Sequence, residues 1–403
     1  MRIIYFNYIV GLNAHPAGAL AKSTSYIREL KAKGFDVQVN WQNMYVKNGD
    51  ENGEKAVYRS PFRMFVSRFI HEPYKIVQNI FQIFRQLKKV RTFKPDVIFE
   101  RLEHCYFASA FVAKLTGLPL VVEADAPVVY EYRKFYGRGN LHVPFLPKLI
   151  ETYTLKRADA VFCISSQMKN YYTERGIDPD KMVVTPNGCN PGMFYPKPRV
   201  PELEERLNIK GQIVIGWVGS LYGWSGIENL IRLVQDLAGE NENVSFLFVG
   251  GGKNRELFAD ALLDQSYSDR IHLPGPVGHE EINDYLSCMD IVLAPYPKMD
   301  FWYASSMKVF EYMAAGKALI TSRIGQLKEI IHDRGNGLLY EPDNFAELRQ
   351  RVRELIGSRT LRESLGRNAH RTALAEYTWS VLAERMAATF RSVYEKGRRD
   401  RSG

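Results

Sequence analysis

The chain has 403 residues, of which 45% are apolar and 25% charged, a composition typical of folded globular proteins that argues against extensive disorder. Because domains usually contain roughly 100–200 residues, this length predicts two of them. The formal net charge of +9 favours an anionic partner, such as a nucleotide diphosphate, an acidic lipid surface or nucleic acid.

The first half of the chain alternates predicted strands and helices. Met1–Val10 is apolar but too short, and too weakly basic at its start, for a signal peptide, so it predicts a buried strand at Ile3–Tyr8. A loop at Gly11–Gly18 leads into a helix at Lys22–Lys33, and a second helix is predicted at Phe107–Leu115. The other strands are predicted at Val37–Trp41, Val97–Phe99, Leu120–Glu123, Ala160–Ile164 and Met182–Thr185. Near-continuous apolar strands separated by helices indicate a covered parallel sheet.

The segment between the second and third predicted strands is strongly basic. From Arg59 to Lys94 it is rich in Arg, Lys and aromatic residues, and Glu72 is almost its only acid. Between residues 76 and 91 the apolar residues recur at helical spacing, with basic residues on the other side. The apolar set is Ile76, Ile80, Ile83, Phe84 and Leu87, and the basic set is Arg85, Lys88 and Lys89. We expect a surface helix packed on the first domain, and a membrane-docking face is the alternative.

A proline-rich linker divides the chain. Pro191–Pro201 contains four prolines and predicts the domain boundary. The pattern then restarts, with strands predicted at Ile213–Val218, Val244–Val249, Ile271–Leu273, Ile291–Ala294 and Ala318–Thr321. Helices are predicted from Ile227, from Glu280, at Val309–Ala315 and over most of the remainder to about Lys396. The expected architecture is two doubly wound α/β domains, residues 1–195 and 196–377, with a C-terminal helix at about 378–403 crossing back to the first.

Three glycine-containing loops follow predicted strands. Open parallel sheets bind ligands outside the carboxyl ends of their strands, where helix N-termini offer N–H groups to phosphate. The loops are Gly11–Gly18, Gly216–Gly226 and Gly250–Gly252. The first lacks GxGxxG spacing, which disfavours an ordinary NAD site. The sequence therefore predicts an enzyme that binds a nucleotide-linked substrate in the cleft between its domains.

Cysteine usage and hydropathy restrict the compartment. Cys105, Cys163, Cys189 and Cys288 have no CxxC or metal-ligand spacing, which is typical of reduced, buried thiols in a cytoplasmic protein. A membrane span needs roughly 18 uninterrupted apolar residues, and the most apolar stretch, 106–122, is interrupted by Lys, Gly and Pro.

The most specific stretch is Ser305–Gly325, SSMKVFEYMAAGKALITSRIG. It resembles the retaining nucleotide-sugar glycosyltransferases of the GT-B type, glycosyltransferase family 4, which carry a similar helix ending in Glu-x-Met-Ala-x-Gly. Other segments that agree in order and spacing are Ala158–Ala160 with Ile164–Ser165, Pro186–Gly188 with Phe194 and Pro196, Gly216–Gly226, and Gly335–Pro342. The resemblance covers nearly the whole chain. It implies a GT-B fold, in which two Rossmann-like domains face each other across a cleft, the first binding acceptor and the second donor.

The resemblance also implies a donor site. Glu311 would hold the donor ribose, since a carboxylate accepts hydrogen bonds from two vicinal hydroxyls. The family's basic residues of the phosphate loop are replaced by Ser220 and Ser225, so Lys308 is the predicted cation for the diphosphate, with Arg323 as the alternative. The family's sugar-binding Glu is replaced by Tyr303. The predicted donor-binding residues are Gly18, Gly219, Ser220, Ser225, Gly250, Gly251, Tyr303, Ser305, Ser306, Met307, Lys308, Val309, Glu311 and Arg323.

Acceptor residues are expected on the first domain. Asp125 stands where the family often has a His, and it would orient the acceptor, act as a weak base, or only cap the next helix. With Lys308 and Glu311 it forms the predicted catalytic set. The predicted acceptor-binding residues are Glu100, Arg101, Glu123, Asp125 and Glu131.

The implied reaction moves a sugar from a UDP- or GDP-linked donor to a hydroxyl, with retention at the anomeric carbon, in polysaccharide or glycoconjugate biosynthesis. The acceptor would be a saccharide, a lipid-linked saccharide or a small molecule. No metal or other cofactor is expected, because no DxD pair or His cluster stands out. Peripheral contact with the inner face of an anionic membrane is a further hypothesis, and nucleic acid is not an expected partner. Two alternatives stay open: a sugar-nucleotide epimerase of the same architecture, and an anion-binding protein without catalysis.

Overall fold

The computed structural model describes residues 1–7, 17–41, 61–135, 145–240, 242–263 and 266–402. These residues form two compact units, Met1–Pro186 with Leu382–Gly403, and Asn187–Val381. Each unit contains a six-stranded sheet in which all strands are parallel. The predicted class, two doubly wound α/β domains, is confirmed.

The sheet of the first unit has the order β2-β1-β3-β4-β5-β6. Its strands are β1 (Arg2–Asn7), β2 (Asp36–Trp41), β3 (Val97–Arg101), β4 (Leu120–Ala124), β5 (Ala160–Cys163) and β6 (Met182–Val184). Its helices are α1 (Ala17–Ala32), α2 (Pro61–Phe93), α3 (Ala108–Thr116), α4 (Val128–Phe135), α5 (Phe145–Arg157) and α6 (Ser166–Thr173). The strand order changes direction between β1 and β3, which makes the carboxyl ends of these strands the switch point of the sheet.

The C-terminal helix completes the core of the first unit. In the chain's last helix, Trp379–Ser402, residues from Leu382 onward belong to this unit. The Phe390 ring packs edge-on against Phe99 of β3 and Phe162 of β5, at centroid distances of 5.3 and 5.5 Å. Such pairs add about 0.5–1.5 kcal/mol each beyond the area they bury, so the terminal helix stabilises this sheet directly.

The second sheet has the order β12-β11-β10-β7-β8-β9. Its strands are β7 (Ile213–Val218), β8 (Val244–Val249), β9 (Ile271–Gly275), β10 (Ile291–Ala294), β11 (Ala318–Ser322) and β12 (Leu338–Tyr340). The helices of this part of the chain are α7 (Pro201–Arg206), α8 (Ile227–Ala238), α9 (Arg255–Leu263), α10 (Ile282–Ser287), α11 (Met307–Ala314), α12 (Leu327–Ile330), α13 (Phe345–Gly357), α14 (Arg359–Glu376) and α15 (Trp379–Ser402). Here the switch point lies between β7 and β10.

Two general expectations can be compared with the structure. All four cysteines are buried and none forms a disulfide, as predicted. Within the described ranges, no helix is long and apolar enough to cross a membrane.

Candidate functional site

The switch point of the second sheet gathers most of the predicted donor residues. Doubly wound sheets bind their ligands in the crevice at the carboxyl ends of the strands that flank the switch point. These are β7 and β10. The loop after β7 contains Gly219, and the loop after β10 leads into the first turn of α11, which contains Lys308.

Two glycine loops pack against each other at this edge of the sheet. The Gly219 N–H donates to the Val249 carbonyl at 2.9 Å, and the Leu221 N–H donates to the Gly251 carbonyl at 2.6 Å. Gly250 has a φ of +135°, and a Cβ there would lie 1.7 Å from the Gly219 carbonyl oxygen. The close packing of the two loops therefore requires glycine at 250, whatever the ligand.

Lys308 is the cation at the centre of this edge. Its Nζ lies 3.9 Å from the centroid of the Trp217 ring and 6.0 Å from that of Tyr296. Burial lowers the pKa of Lys308 to about 7, and the nearby Glu311 carboxylate opposes the shift only in part. A half-buried amine that is easily neutralised gains most from an arriving anion, because the anion restores the charged form.

Glu311 lies one helical turn after Lys308 and is also buried. Its Oε1 is 3.4 Å from Nε2 of His279. This contact raises the pKa of His279 and outweighs the opposing effect of burial. The helix that carries Glu311 is fixed to β7 by Tyr312, whose hydroxyl accepts a hydrogen bond from the Val218 N–H at 2.7 Å.

Sequence reasoning missed His279. It lies 32 residues before Glu311 in the chain, in the segment that follows β9. The only signal in the sequence was a polar residue beyond a predicted strand, and the contact with Glu311 depends on the tertiary structure.

The predicted serine hydroxyls hold the loops in place. Asn187 donates its backbone N–H to the Ser305 hydroxyl at 2.9 Å and its side-chain amide to the Ser305 carbonyl at 2.7 Å. Ser306 Oγ is 2.5 Å from the Tyr296 hydroxyl. Ser225 donates to the Ser220 carbonyl at 2.7 Å. These hydroxyls shape the site, and Asn187 is a supporting residue that was not predicted.

The remaining predicted donor residues differ in exposure. Val309 is fully buried in the hydrophobic core of the second unit. Met307 and Tyr303 are half-buried, and the Tyr303 ring lies 5.3 Å from the Phe301 ring. The Arg323 guanidinium pairs with Glu341 at 2.9 Å and with Asp333 at 3.4 Å. Because two carboxylates already neutralise Arg323, the geometry favours Lys308 over Arg323 as the cation for a diphosphate.

In the first unit, four charged side chains form a buried ion cluster at the carboxyl edge of the sheet, here called the Lys22 cluster: Lys22, Arg101, Glu123 and Asp125. Lys22 pairs with Glu123 at 3.1 Å and also contacts Asp125. Arg101 Nη1 is 2.8 Å from Asp125 Oδ2. Three of the predicted acceptor residues thus lie together: Glu123 and Asp125 at the end of β4, and Arg101 at the end of β3.

Two tyrosines complete the coordination of the Glu123 carboxylate. The hydroxyls of Tyr5 and Tyr26 lie 2.5 and 2.8 Å from Glu123 Oε2. Burial, followed by the charge of Glu123, raises the pKa of both phenols well above the ordinary value. Both hydroxyls therefore stay protonated and can donate.

The cluster changes the chemistry expected of Asp125. Burial alone would raise its pKa, but Arg101 and Lys22 outweigh this effect and lower it. An ionised carboxylate held by two cations is a poor proton acceptor, so the geometry does not favour the weak-base role.

Glu100 does not join the cluster. Glu100 is fully buried next to Arg101 in β3, so its side chain points to the opposite face of the sheet. Burial raises the pKa of Glu100 to about 8. Glu131 lies in α4, and Gly18 lies in the first turn of α1. Residues 11–16 of the predicted first glycine loop lie outside the described residues.

Gly219→Ala should disturb Lys308 specifically. Gly219 has a φ of +145°, and a Cβ there would lie 2.5 Å from Lys308 Nζ. We expect a loss of about 1–3 kcal/mol in the free energy of unfolding from the backbone strain, and weaker nucleotide binding because the amine is displaced from Trp217. Urea unfolding and calorimetric titration with UDP measure the two effects. Gly239→Ala is the control, because a Cβ at 239 meets nothing within 4 Å. Equal effects of the two changes would contradict the assignment.

No group of His, Cys, Asp and Glu side chains in the described part of the chain is arranged to hold a metal ion.

Family comparisons match both units. Residues 18–188 match the glycosyl transferase 4-like domain, and residues 212–358 match the glycosyl transferases of group 1. The chain is 26% identical over 275 residues to the GPI3 subunit of the phosphatidylinositol N-acetylglucosaminyltransferase of Saccharomyces cerevisiae, covering 66% of this chain and 57% of the yeast protein. The match spans about three fifths of the length of this and other curated relatives.

Solved structures agree in fold. Sucrose-phosphate synthase from Thermosynechococcus elongatus superposes with a TM-score of 0.72 at 18% identity, covering 98% of this chain and 100% of that one. Anabaena HepE in complex with UDP gives a TM-score of 0.71 at 15% identity, covering 97% and 100%. HepE has also been solved with UDP-glucose. Both sheets, the order of their strands and both family matches lead to one assignment: the chain belongs to the group 1 glycosyltransferases, the GT-B-fold retaining enzymes of glycosyltransferase family 4.

Proposed function

We propose that the enzyme transfers a hexose from a UDP-sugar to an acceptor hydroxyl with retention at the anomeric carbon, without a metal. The observation that carries the proposal is the pair Lys308 and Glu311, presented one helical turn apart at the switch point of the second sheet. We propose UDP and not GDP as the donor nucleotide because HepE, which shares the fold, was solved with UDP and with UDP-glucose.

Lys308 and Glu311 have separate roles in this proposal. Glu311 accepts hydrogen bonds from the ribose hydroxyls, and His279 holds its carboxylate from the other side. Lys308 carries the charge that balances the diphosphate as the bond from the anomeric carbon to the phosphate oxygen breaks. Stabilisation of the developing charge by preorganised groups is usually the largest single contribution to the rate enhancement of an enzyme.

The first unit supplies the acceptor side. The acceptor oxygen forms the new bond to the anomeric carbon as the bond to the diphosphate oxygen breaks, and the hydroxyl proton passes to the departing diphosphate. The Lys22 cluster lies at the switch point of this sheet, where an acceptor would bind. Within the cluster, Arg101 is the last residue of β3 and Asp125 directly follows β4, so these two residues are the candidates for acceptor contact. The acceptor is a saccharide, a lipid-linked saccharide or a small molecule, in polysaccharide or glycoconjugate synthesis. Four buried cysteines that form no disulfide support a reducing, cytoplasmic location.

Transfer is favoured over the two alternatives. The family assignment supports a transferase, and an epimerase would turn over donor with no acceptor present. A purely anion-binding protein would have no use for the Glu311 and His279 pair.

A thermal-shift panel with UDP, GDP, ADP and TDP, with and without EDTA, tests the proposal. Ligand at 100 times its dissociation constant should stabilise the fold by about 2.7 kcal/mol. We expect UDP to raise the melting temperature of the wild type and Glu311→Ala to lose most of that response. Glu376→Ala, at an exposed position at the end of α14, is the matched control.

The outcomes separate the parts of the proposal. A response to GDP alone would overturn the choice of base and keep the site. A Glu311→Ala variant that responds like the wild type would overturn the ribose role. No response to any nucleotide would overturn the donor assignment altogether, and a response abolished by EDTA would overturn metal independence.

A further inference from the structure

Helix α2 buries a polar face. Among residues 73–93, whose side chains are described, the buried ones are Lys75, Asn79, Gln82, Gln86 and Val90, spaced by three or four residues as one side of a helix requires. Four of these five residues are polar. Surface helices of globular proteins normally turn their apolar stripe inward, so α2 is amphipathic in the reverse sense.

Hydrogen bonds fix this orientation. Asn79 Oδ1 accepts from the N–H groups of Phe107 and Ala108, at 2.8 and 3.0 Å, at the start of α3. Its amide donates to the Cys105 carbonyl at 2.9 Å. Lys75 lies 3.2 Å from the Tyr132 hydroxyl and pairs with Glu103 at 3.4 Å. Rotating α2 to bury its apolar side would break all of these contacts, so the polar face is held inward.

The apolar side chains of α2 consequently face solvent. Val77, Ile80, Phe81 and Phe84 are 50%, 53%, 62% and 68% exposed. The helix packs on the first unit as expected, but Ile80 and Phe84 of its apolar set face solvent. The polar residues between them have the specific partners that hold the helix.

Neighbouring helices extend the exposed apolar area. Helix α2 packs on α3, and α3 packs on α5. The exposed large apolar side chains of α3 and α5 are Phe111, Leu115, Phe145, Leu149 and Tyr153. Together with those of α2 they form what is here called the apolar face of the first unit. Large apolar side chains exposed together on helices that pack in succession are typical of an interaction site in soluble proteins.

Within the ranges whose side chains are described, the exposed charges on these three helices are basic. Residues 73–93, 108–116 and 145–157 contain one acidic residue, Glu151, which is buried. Exposed basic side chains on the same three helices are Arg85, Lys88, Arg91, Lys114, Lys148 and Lys156. Aromatic and aliphatic side chains bordered by exposed Lys and Arg are suited to the interface of an anionic bilayer.

We propose that the apolar face of the first unit docks on a membrane surface rich in anionic lipid. A second copy of the chain fits poorly, because a two-fold interface would bring like basic charges together. Nucleic acid would use the basic residues but would leave Phe81, Phe84 and Leu149 without a purpose. The proposal does not depend on the donor or the acceptor, so it is tested without either.

Co-sedimentation with vesicles tests the docking. We expect the full chain to bind vesicles of phosphatidylcholine with 30% phosphatidylglycerol, and pure phosphatidylcholine at least about tenfold more weakly, since each basic residue near the surface contributes about 1 kcal/mol. Phe81→Ser with Phe84→Ser should reduce binding by about tenfold or more without lowering the melting temperature, because both rings are exposed. Leu257→Ser is the matched control, since Leu257 is 65% exposed on α9 of the second unit.

A second variant separates charge from apolar contact. Arg85→Gln with Lys88→Gln should remove most of the preference for phosphatidylglycerol and the salt dependence of binding. The proposal is overturned if the full chain binds neither kind of vesicle. It is also overturned if Leu257→Ser loses as much vesicle binding as Phe81→Ser with Phe84→Ser. A dimer in sedimentation equilibrium that Phe81→Ser with Phe84→Ser dissociates would assign the face to self-association instead.

Discussion

Lys308→Met should lower the rate of UDP release from UDP-glucose about 10²–10³-fold, the usual cost of removing one preorganised group that stabilises a leaving charge. The same change should leave the free energy of unfolding unchanged or slightly higher. Burial already lowers the pKa of this amine to about 7, which shows that the folded protein holds the charge at a cost. Replacing such a group with an apolar side chain of similar length is often neutral or stabilising.

The pH dependence of this effect has a definite sign. The diphosphate binds the protonated amine, and the free protein loses that proton near pH 7. Affinity for UDP-glucose, whose diphosphate does not titrate in this range, should therefore be constant below about pH 7 and fall above it, by at most tenfold per pH unit. The fall should stop once the pH exceeds the raised pKa of Lys308 in the complex. Calorimetric titration from pH 6 to 9 measures the change in affinity, and Lys308→Met should lose the part of the fall that is due to Lys308.

Lys317→Met is the matched control. Lys317 is also a half-buried lysine of the second unit, with a pKa lowered to about 8 by burial. It precedes β11, at the amino end of the sheet, and donates to the carbonyls of Ser287 and Met289 at 3.2 and 2.9 Å. Its loss should cost about 1–3 kcal/mol of stability and leave donor affinity unchanged. The role of Lys308 is overturned if Lys308→Met binds UDP-glucose as the wild type does across the pH range.

Strands were predicted correctly where burial on both faces of the sheet determines the sequence pattern. Ile213–Val218, Val244–Val249 and Ile291–Ala294 are found with the predicted bounds, because a central parallel strand is apolar on both faces and glycine or polar residues end it. The strand β12 at Leu338–Tyr340 was missed, since three residues within a predicted turn carry no periodicity. Helix α2 was predicted over less than half its length, and its periodicity could not show which side faces inward, because hydrogen bonds to α3 decide it.

The sequence suggested site candidates that lie close together in the chain and did not suggest the side chains that contact them. Lys308 and Glu311 could be identified because one short helix carries both. Their partners Trp217 and His279 come from other strand ends, 91 and 32 residues away. Lys22 was predicted only as the start of a helix, although its pairing with Glu123 and Asp125 determines their charge. Residue type and spacing suggest candidates, and the tertiary structure decides which charges remain available to a ligand.

Glu123→Gln should destabilise the first unit by about 3–5 kcal/mol, the range for breaking a buried ion pair and leaving its partner uncompensated. Glu123 is the carboxylate that Lys22, Tyr5 and Tyr26 share. A neutral amide cannot balance Lys22, and Asp125 would then face two buried cations alone. Urea unfolding gives the free energy, and hydrogen exchange in β1 and β4 shows whether the loss lies in this unit. Asp36→Asn, which breaks the exposed pair with Arg2 in the same unit, should cost only about 0–1 kcal/mol.

Asp125→Asn separates a structural role of the Lys22 cluster from a catalytic one. The pKa of Asp125 is lowered from 3.8, so its contribution is present above about pH 4 and is lost as the pH falls through the lowered value. The pKa of Lys22 is raised from 10.5, so its contribution is lost only as the pH rises above that value. Wild-type stability should thus decline steeply below pH 4, and Asp125→Asn should start lower and decline less. If Asp125→Asn instead keeps wild-type stability and loses sugar transfer, the carboxylate serves the acceptor and the cluster exists to orient it. If it loses stability and keeps transfer, the acceptor role proposed for Asp125 is wrong, and the four charges serve to hold β1, β3, β4 and α1 together.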